Sequence, residues 1–313
     1  SPIMDNRLYF HFRDHLARFL EKWGEENGYD IYADGLKIYV TLDSRMQKYA
    51  EEAVQKQMKQ LQARFSEYSA VEMFSPDSIE KYLKKTNLYK DLYNRYGNDT
   101  ATIRTYLTEP RAMKVFDYSE KGYKEAKMST LEYIQYMDSF LHCGFVVMEP
   151  DTKKVKAWVG DINYDNWQYD KVAQSKRQPG STFKLFVYAA AMNAGKSPCD
   201  KFVDQPVAIK YDGGVWRPRN ANGIYTGYPM TLRSAFAQSI NTIAAQVAQE
   251  IGVSNVAKCA RSMGVQSRLT ELPSLSLGSS GVSLLEMVNG YSTVISEGMY
   301  GPPVIVNRIM DNA

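Results

Sequence analysis

The sequence predicts an α+β fold: a helical first part, then a compact part that mixes strands and helices. Composition changes near residue 140 of the 313-residue chain. Residues 1–140 hold 43 of the 73 charged side chains but only 5 of the 20 glycines, which is typical of amphipathic helices joined by few turns. Residues 141–313 run from strand patterns through helical patterns to a further strand pattern, as α+β domains do.

The overall charge and the cysteines exclude several classes of protein. The 38 basic and 35 acidic side chains leave a net charge of +3, so no nucleic-acid partner is expected. No apolar run approaches the roughly 18 residues of a membrane helix. The three cysteines are too few and too scattered for a disulfide framework or a zinc ribbon.

Histidine is too scarce for most metal or triad chemistry. His11 and His15 have the spacing of a zinc-binding helix, but the glutamate after the first histidine and a third ligand are both missing. His142 is the only histidine near the predicted core, which leaves little for a Ser-His-Asp triad. We therefore expect no metal site.

The first part of the chain contains a strand pattern that leads into a helix. Residues 36–42 alternate apolar and polar side chains, which predicts a strand. Asp43 can then cap a helix whose apolar positions recur at helical spacing between residues 46 and 65. Further helical patterns cover residues 78–95, 100–107 and 130–141, the last behind the capping box Ser129-Thr130-Leu131-Glu132.

The second part opens with a β-hairpin and continues mostly as helices. Residues 144–148 and 155–159 are apolar runs separated by a polar turn, the pattern of two antiparallel strands. A helix is predicted from Ser181 through Met192. The remaining patterns predict helices over residues 231–251, 254–263 and 283–297, and a strand from Pro303.

A serine and a lysine have the spacing of a nucleophile and its base. Ser181 and Lys184 share a helix face, so the amine can reach the hydroxyl. The chain has a second Ser-x-x-Lys, at Ser78 and Lys81, in a charged stretch typical of a solvated helix face. Only Ser181 follows a Pro-Gly turn. That turn places it in a first helical turn, where unpaired N–H groups favour developing negative charge.

The residues after Lys184 bear on its protonation. Residues 185–191 are apolar nearly all round the helix, which predicts a buried helix that desolvates the amine and lowers its pKa. A neutral lysine can take a proton from a serine. A purely structural reading stays open at this point, with Ser181 as a helix cap and the Lys184 stem lying along apolar surface.

Ser239 and Asn241 form the only Ser-x-Asn in the chain, inside the helical pattern over residues 231–251. Amid alanines and valines, these polar residues either mark an ordinary helix junction or present a hydroxyl and an amide to a cleft. In a cleft, the hydroxyl can relay a proton and the amide can bind a substrate amide.

Taken together, the two motifs resemble those of the penicillin-recognising serine acyltransferases. Residues 177–184 and 237–242 resemble the corresponding segments of class A penicillin-binding proteins, the bifunctional peptidoglycan synthases. Residues 35–54 are similar to the segment that joins the glycosyltransferase and transpeptidase halves of that family. Residues 275–291 also fit, and residues 216–220 weakly resemble the family's loop near the cleft.

The resemblance covers residues 34–66 and 139–311, whereas residues 67–138 are not matched to the family and are interpreted as a lineage-specific insertion. It implies the α+β fold of the penicillin-recognising serine transpeptidases, which is β-lactamase-like. In this interpretation residues 1–140 are a helical linker with a tyrosine-rich insertion, and residues 141–313 are a partial transpeptidase domain.

The resemblance also implies a role for each site residue. Ser181 would attack the penultimate D-alanyl carbonyl of a peptidoglycan stem peptide, and neutral Lys184 would be the general base. Ser239 would pass the proton to the departing amine, and Asn241 would hold the substrate amide and orient Lys184. The N–H of Ser181 would form half of an oxyanion hole. β-Lactam antibiotics would acylate the same serine, and no cofactor is implied.

The family's third motif, Lys-Thr/Ser-Gly, does not occur after Asn241, where the only lysine is Lys258 and Cys259 follows it. We therefore expect the sequence to be cut before that motif. The resemblance implies a full-length protein with a glycosyltransferase domain and a membrane anchor, at the periplasmic face of the bacterial inner membrane.

Two alternatives remain open. The first is a D,D-carboxypeptidase or β-lactamase on the same fold, which would release the acyl group to water and turn a β-lactam over. The second is a non-catalytic penicillin-binding-like scaffold module whose working surface is residues 67–138. Full-length protein that carries Ser181→Ala would then retain its role, whereas loss of cross-linking would exclude this alternative.

These 313 residues alone are expected to have little or no transpeptidase activity. The lysine that would bind the substrate carboxylate, and the strand that would supply the second oxyanion donor, belong to the missing third motif. Labelling with a fluorescent penicillin, followed on a denaturing gel, measures this. Stoichiometric acylation of Ser181 in this chain would contradict the expectation.

Overall fold

The computed structural model describes residues 10–68, 84 and 87–311, and helices and strands are mixed along them as the α+β prediction requires. The helices are α1 (Phe10–Asn27), α2 (Ser44–Tyr68), α3 (Asn87–Tyr96), α4 (Thr100–Thr108), α5 (Thr130–Asp138), α6 (Lys184–Asn193), α7 (Leu232–Ala237), α8 (Asn241–Ile251), α9 (Val253–Ser262) and α10 (Leu284–Ile295). The strands are β1 (Lys37–Val40), β2 (Arg111–Phe116), β3 (Tyr123–Met128), β4 (Phe145–Met148), β5 (Val155–Val159), β6 (Lys201–Val203), β7 (Ile209–Tyr211), β8 (Gly214–Trp216), β9 (Pro229–Thr231) and β10 (Val306–Met310). Two 3₁₀ turns cover Gly180–Phe183 and Pro273–Leu277.

The chain divides into two compact units. The first consists of Ser1–Ala50 together with Gly144–Ala313, and the second consists of Glu51–Cys143. Residues before Glu51 therefore group with the second part of the chain. The division into domains at residues 1–140 and 141–313 stays a prediction.

In the first unit the predicted hairpin is confirmed, and β1 pairs with the last strand of the chain. The β4–β5 pair and the β1–β10 pair are both antiparallel. Thr41 links the two pairs, because its N–H donates to the carbonyl of Ile305 and its hydroxyl to the carbonyl of Val155. The strand predicted from Pro303 begins at Val306. The cap predicted at Asp43 is also confirmed, since its carboxylate accepts two N–H groups in the first turn of α2.

Helices α7, α8 and α9 of the first unit pack against α6, which is buried on nearly every side as its apolar sequence predicts. Phe183, Phe186 and Val187 have no exposed surface, and neither do Ile243 and Val247 of α8. Each large apolar side chain that is fully buried stabilises the fold by about 1.5 to 3 kcal/mol. Lys184, the residue that begins α6, is therefore positioned by a closely packed apolar core.

Two helical predictions need correction. The helix predicted from Ser181 begins as a 3₁₀ turn, and α-helical geometry starts only at Lys184. The continuous helix predicted over residues 231–251 is wrong, because α7 ends at Ala237 and α8 begins at Asn241. The break lies at Ser239, whose backbone φ is +56°.

The second unit contains a β-hairpin in a region where composition predicts helices, so that prediction is wrong for residues 111–128. β2 and β3 run antiparallel, and most of their side chains are exposed. Only Val115 and Phe116 are buried. A hairpin that buries so little gives no apolar alternation in the sequence.

The helices of the second unit agree more closely with the sequence. α3 and α4 lie within or beside the predicted patterns, and their Leu92, Ile103 and Leu107 form a small buried cluster. The predicted capping box is confirmed, with the Ser129 N–H 2.7 Å from the Glu132 carboxylate. α5 then ends at Asp138, three residues earlier than predicted.

Glu286 of α10 lies at a junction of several hydrogen bonds and one ion pair in the first unit. Its carboxylate accepts the N–H of Ser283 at 2.7 Å and both the N–H and the hydroxyl of Ser267, and Lys176 lies 3.2 Å away. Burial alone would raise the pKa of Glu286, but these hydrogen bonds and the Lys176 charge lower it to about 2.

This junction predicts an acid-dependent loss of stability. A carboxylate whose pKa is depressed on folding stabilises the protein above its ordinary value of 4.5, and the contribution disappears as the pH falls towards 2. Glu286→Gln should lower the free energy of unfolding at pH 7 by roughly 2 to 3 kcal/mol. The variant should also lose most of the dependence between pH 4.5 and 2.

Denaturant titrations at pH 7 and pH 3 measure this effect. Glu271→Gln is the matched control, because Glu271 forms an exposed pair with Arg261 and should change stability by less than about 0.5 kcal/mol. Equal losses for the two variants would show that the Glu286 junction does not stabilise the fold.

Candidate active site

Four predicted site residues meet around one amine. The Nζ atom of Lys184 lies 3.2 Å from the hydroxyl of Ser181 and 2.9 Å from the hydroxyl of Ser239. It lies 2.6 Å from the Ser239 carbonyl oxygen and 2.6 Å from the side-chain oxygen of Asn241. The structure thus brings the Ser-x-x-Lys motif and the Ser-x-Asn motif together. Lys184 precedes Ser239 by 55 residues and Asn241 by 57 residues in the chain.

The turn that carries Ser181 is held from two sides. Gly180 adopts a φ of +58° and packs closely against Gly278. A Cβ atom added to Gly278 would lie 2.3 Å from the Gly180 carbonyl oxygen. The hydroxyl of Tyr291 donates to the carbonyl of Thr182 at 2.9 Å. Ser181 itself is exposed, so its hydroxyl is accessible from solvent.

Lys184 is buried although it can carry a charge. Only 1% of its surface is exposed, because it begins α6 in the middle of the apolar core. Burial lowers its pKa from 10.5 to about 8, since water no longer stabilises the charged form. A useful fraction of neutral amine is therefore present near neutral pH.

Ser239 occupies the left-handed position of a Schellman motif that ends α7. Its N–H donates to the carbonyl of Phe236 and the next N–H, of Ile240, donates to the carbonyl of Ala235, both at 3.0 Å. Glycine usually fills this position, because a side chain there costs about 1 to 2 kcal/mol. The serine turns both its carbonyl and its hydroxyl towards Lys184.

The amide of Asn241 has a defined orientation. Its nitrogen donates to the carbonyl of Arg219 at 2.8 Å, so its oxygen must be the atom that faces Lys184. Asn241 is the first residue of α8, and its own N–H donates to the side-chain oxygen of Asn220 at 3.0 Å. Asn220 lies in the segment whose resemblance to the family is weak, and Thr242 ends the segment 237–242 that resembles the family more closely. Asp204, which accepts the Asn220 amide, was not indicated by any pattern in the sequence.

The arrangement around Nζ is suited to proton transfer. The Ser239 carbonyl and the Asn241 oxygen can only accept, so they take the two N–H bonds of a neutral amine. The lone pair of the amine then faces the hydroxyls of Ser181 and Ser239. Because all four contacts are with uncharged groups, nothing among them opposes deprotonation as a carboxylate would.

The other residues considered in the sequence have structural contacts or lie outside the described part. The Nε2 atom of His11 lies at hydrogen-bond distance, 2.8 Å, from the carbonyl oxygen of Trp167. His15 packs against Trp158, and burial together with the Arg18 charge lowers its pKa to about 4. Ser78 and Lys81 lie outside the described residues.

The described residues contain neither a metal-binding cluster nor a helix that could span a membrane. Over residues 10–68, 84 and 87–311, His, Cys, Asp and Glu side chains nowhere gather in threes as a metal site would need. Within the same ranges, each helix is too short or too polar to span a membrane.

Two family models match consecutive segments of the chain. The model of the penicillin binding protein transpeptidase domain matches residues 143–313, and that of the penicillin-binding protein middle domain matches residues 65–141. The second match corrects the interpretation of residues 67–138 as a lineage-specific insertion, because this segment is a domain that other penicillin-binding proteins also have.

Curated relatives agree with the family models. Penicillin-binding protein 1A of Rickettsia bellii is 27% identical over 305 residues, which cover 90% of this chain and 38% of the relative. Penicillin-binding protein 2D of Bacillus subtilis is 30% identical over 229 residues, which cover 72% of this chain and 32% of the relative. The chain therefore spans less than half the length of these relatives.

Solved structures share the fold. A crystal structure of penicillin-binding protein 1A from Haemophilus influenzae matches 97% of this chain and 48% of its own with a TM-score of 0.63 at 21% identity. The penicillin-binding protein PonA1 from Mycobacterium tuberculosis matches 93% of this chain and 60% of its own with a TM-score of 0.58 at 19% identity. With a transpeptidase model matched over more than half its length, the chain belongs to the transpeptidase family of penicillin-binding proteins and is homologous to the class A members named 1A.

Proposed function

We propose that the chain is part of a serine D,D-transpeptidase that cross-links the peptidoglycan of the bacterial cell wall. The observation that carries this proposal is the buried amine of Lys184, held 3.2 Å from the exposed hydroxyl of Ser181 by uncharged partners. Membership of the transpeptidase family supports the reaction class.

Acylation begins when the Ser181 oxygen attacks the penultimate D-alanyl carbonyl of a stem peptide and its proton moves to Lys184. The backbone N–H of Ser181 stabilises the negative oxygen of the tetrahedral intermediate. The peptide bond then breaks. Lys184 returns the proton through the hydroxyl of Ser239 to the nitrogen of the leaving D-alanine, and an ester on Ser181 remains.

Transfer reverses these steps with a different amine. The side-chain amine of a neighbouring stem peptide attacks the ester carbonyl and loses a proton to the Lys184–Ser239 pair. The ester bond to Ser181 breaks, the serine regains its proton, and the new amide is the cross-link. Asn241 holds the substrate amide and orients Lys184 throughout. A β-lactam acylates Ser181 in the same way, and its opened ring stays attached.

The proposed partners and location follow from this reaction. Peptidoglycan stem peptides are the substrates, and β-lactam antibiotics are the inhibitors. We place the full-length protein at the periplasmic face of the inner membrane, with a membrane anchor and a glycosyltransferase domain. No nucleic acid takes part.

The proposal is tested by labelling the full-length protein with a fluorescent penicillin. Ser181→Ala should abolish labelling, because the Ser181 hydroxyl lies 3.2 Å from the buried amine of Lys184. Ser78→Ala should not, because the sequence around Ser78 is a charged stretch typical of a solvated helix face. Mass spectrometry of the adduct identifies the acylated peptide. A stable adduct supports a transpeptidase, steady turnover of the β-lactam supports a hydrolase, and labelling that survives Ser181→Ala excludes the proposed nucleophile.

The rate of acylation should depend on pH through Lys184. The neutral amine is the base, so the second-order rate constant should rise about tenfold per pH unit below pH 8 and level off above it. Lys184→Arg should be slow at every pH, because a guanidinium stays protonated. Stopped-flow measurements with the labelled penicillin between pH 6 and 10 would contradict this if the wild-type rate were flat or rose throughout.

Ser239 should contribute its hydroxyl to catalysis while its backbone conformation costs stability. Ser239→Ala and Ser239→Gly both lose the hydroxyl and keep the carbonyl, so both should slow acylation to the same extent. Because φ is +56°, the glycine variant should be more stable than the alanine variant by about 1 kcal/mol. Acylation rates that differ widely between the two, or equal melting temperatures, would contradict this account.

A further inference from the structure

A buried network of polar side chains lies behind Asn241. Asp204 follows β6, Asn220 lies in the loop after β8, and Thr242 is the second residue of α8. Asp204 is 1% exposed, Asn220 7% and Thr242 0%. The carboxylate of Asp204 accepts the Asn220 amide at 2.8 Å and the Thr242 hydroxyl at 2.7 Å. Burying three polar groups is costly unless they bond one another, so their arrangement is tightly determined.

Asp204 anchors this network as a fixed acceptor. Its second oxygen accepts the N–H of Thr226 at 2.8 Å. Burial alone would raise the pKa of Asp204, but the hydrogen bonds from Thr226, Thr242 and Asn220 outweigh burial and lower it below its ordinary value. The carboxylate therefore accepts in every bond, and each of its partners must donate.

Asn220 is consequently forced to point its oxygen at the start of α8. Its nitrogen donates to Asp204 and to the carbonyl of Ile224, at 2.8 and 2.9 Å. Its oxygen accepts the N–H groups of Asn241 and Thr242, at 3.0 and 3.3 Å. A residue just before a helix usually caps these groups, but Ile240 has no side-chain acceptor, so Asn220 caps the helix from a distant loop.

The same loop also fixes the side chain of Asn241. Arg219 precedes Asn220, and its carbonyl accepts the amide nitrogen of Asn241 at 2.8 Å. Two consecutive residues thus hold the backbone and the side chain of Asn241 at once. The Asn241 oxygen is left facing Lys184 at 2.6 Å.

We infer that Asp204, Asn220 and Thr242 are positioning residues for the acyl transfer proposed above, and the inference rests on that function. They hold Asn241 so that its oxygen takes one N–H of Lys184, which directs the lone pair of the amine towards Ser181. They act only through Asn241 and touch no reacting atom. Their loss should therefore slow acylation only while Asn241 is present.

A double-mutant cycle on the full-length protein tests this with a fluorescent penicillin. Asn220→Ala should lower the second-order rate constant of acylation about tenfold or more, because small displacements of catalytic groups are costly. Combined with Asn241→Ala, it should cause a further loss of less than about twofold. If Asn220 contributed only to stability, the losses in acylation rate caused by Asn220→Ala and Asn241→Ala would multiply instead.

Asn289→Ala is the matched control. Asn289 is equally buried, and its side chain bonds Gly301 and Ser292 rather than the site. Whatever loss it causes should multiply with that of Asn241→Ala. Thr242→Val is the second variant if Asn220→Ala does not fold, since it removes only the hydroxyl that donates to Asp204. It should slow acylation a few-fold alone and not at all beside Asn241→Ala.

The outcomes separate the inference from the function on which it rests. If the wild-type protein is not acylated at Ser181, both the proposed function and the inference that rests on it are overturned. If Ser181 is acylated and the losses from Asn220→Ala or Thr242→Val multiply with that from Asn241→Ala, the function stands and the inference is overturned. Non-additive losses together with multiplicative losses for Asn289→Ala support both.

Discussion

The burial of the Lys184 amine is the constraint on which the rest of the site depends. A lysine that begins an apolar helix in the protein core loses its water, and ionisation becomes unfavourable. Four oxygen atoms replace that water, and none of them carries a full charge. A carboxylate in their place would hold the proton on the amine. Because its partners are uncharged, the buried amine of Lys184 can lose its proton and act as a base.

Backbone geometry supplies as much of the site as side-chain chemistry does. Ser239 reaches Lys184 with two atoms only because it occupies the left-handed position at the end of α7. Ser181 is presented by a turn whose Gly180 packs directly on Gly278, where a side chain has no room. The backbone is strained at Ser239 and crowded at Gly180, and the packed core around α6 stabilises both conformations.

The sequence predicts those features that depend on local pattern and misses those that depend on distant contacts. The buried helix after Lys184 and the β4–β5 hairpin follow from apolar runs, and both are present. The break at Ser239 was missed because the Schellman position holds serine where glycine would have signalled it. The β2–β3 hairpin was missed because its strands are mostly exposed. The network behind Asn241 joins side chains 16 to 38 residues apart, and no local pattern encodes such bonds.

The most direct test of the account is the pKa of Lys184 itself, measured by NMR titration of its labelled side chain. The account predicts a midpoint near 8, because burial among uncharged groups destabilises the ammonium form. It also predicts that the midpoint stays well below 10.5 when Ser181 is replaced by alanine, since the serine hydroxyl does not cause the shift. A midpoint at the ordinary lysine value in the wild-type protein would contradict the proposed role of Lys184 as the neutral base.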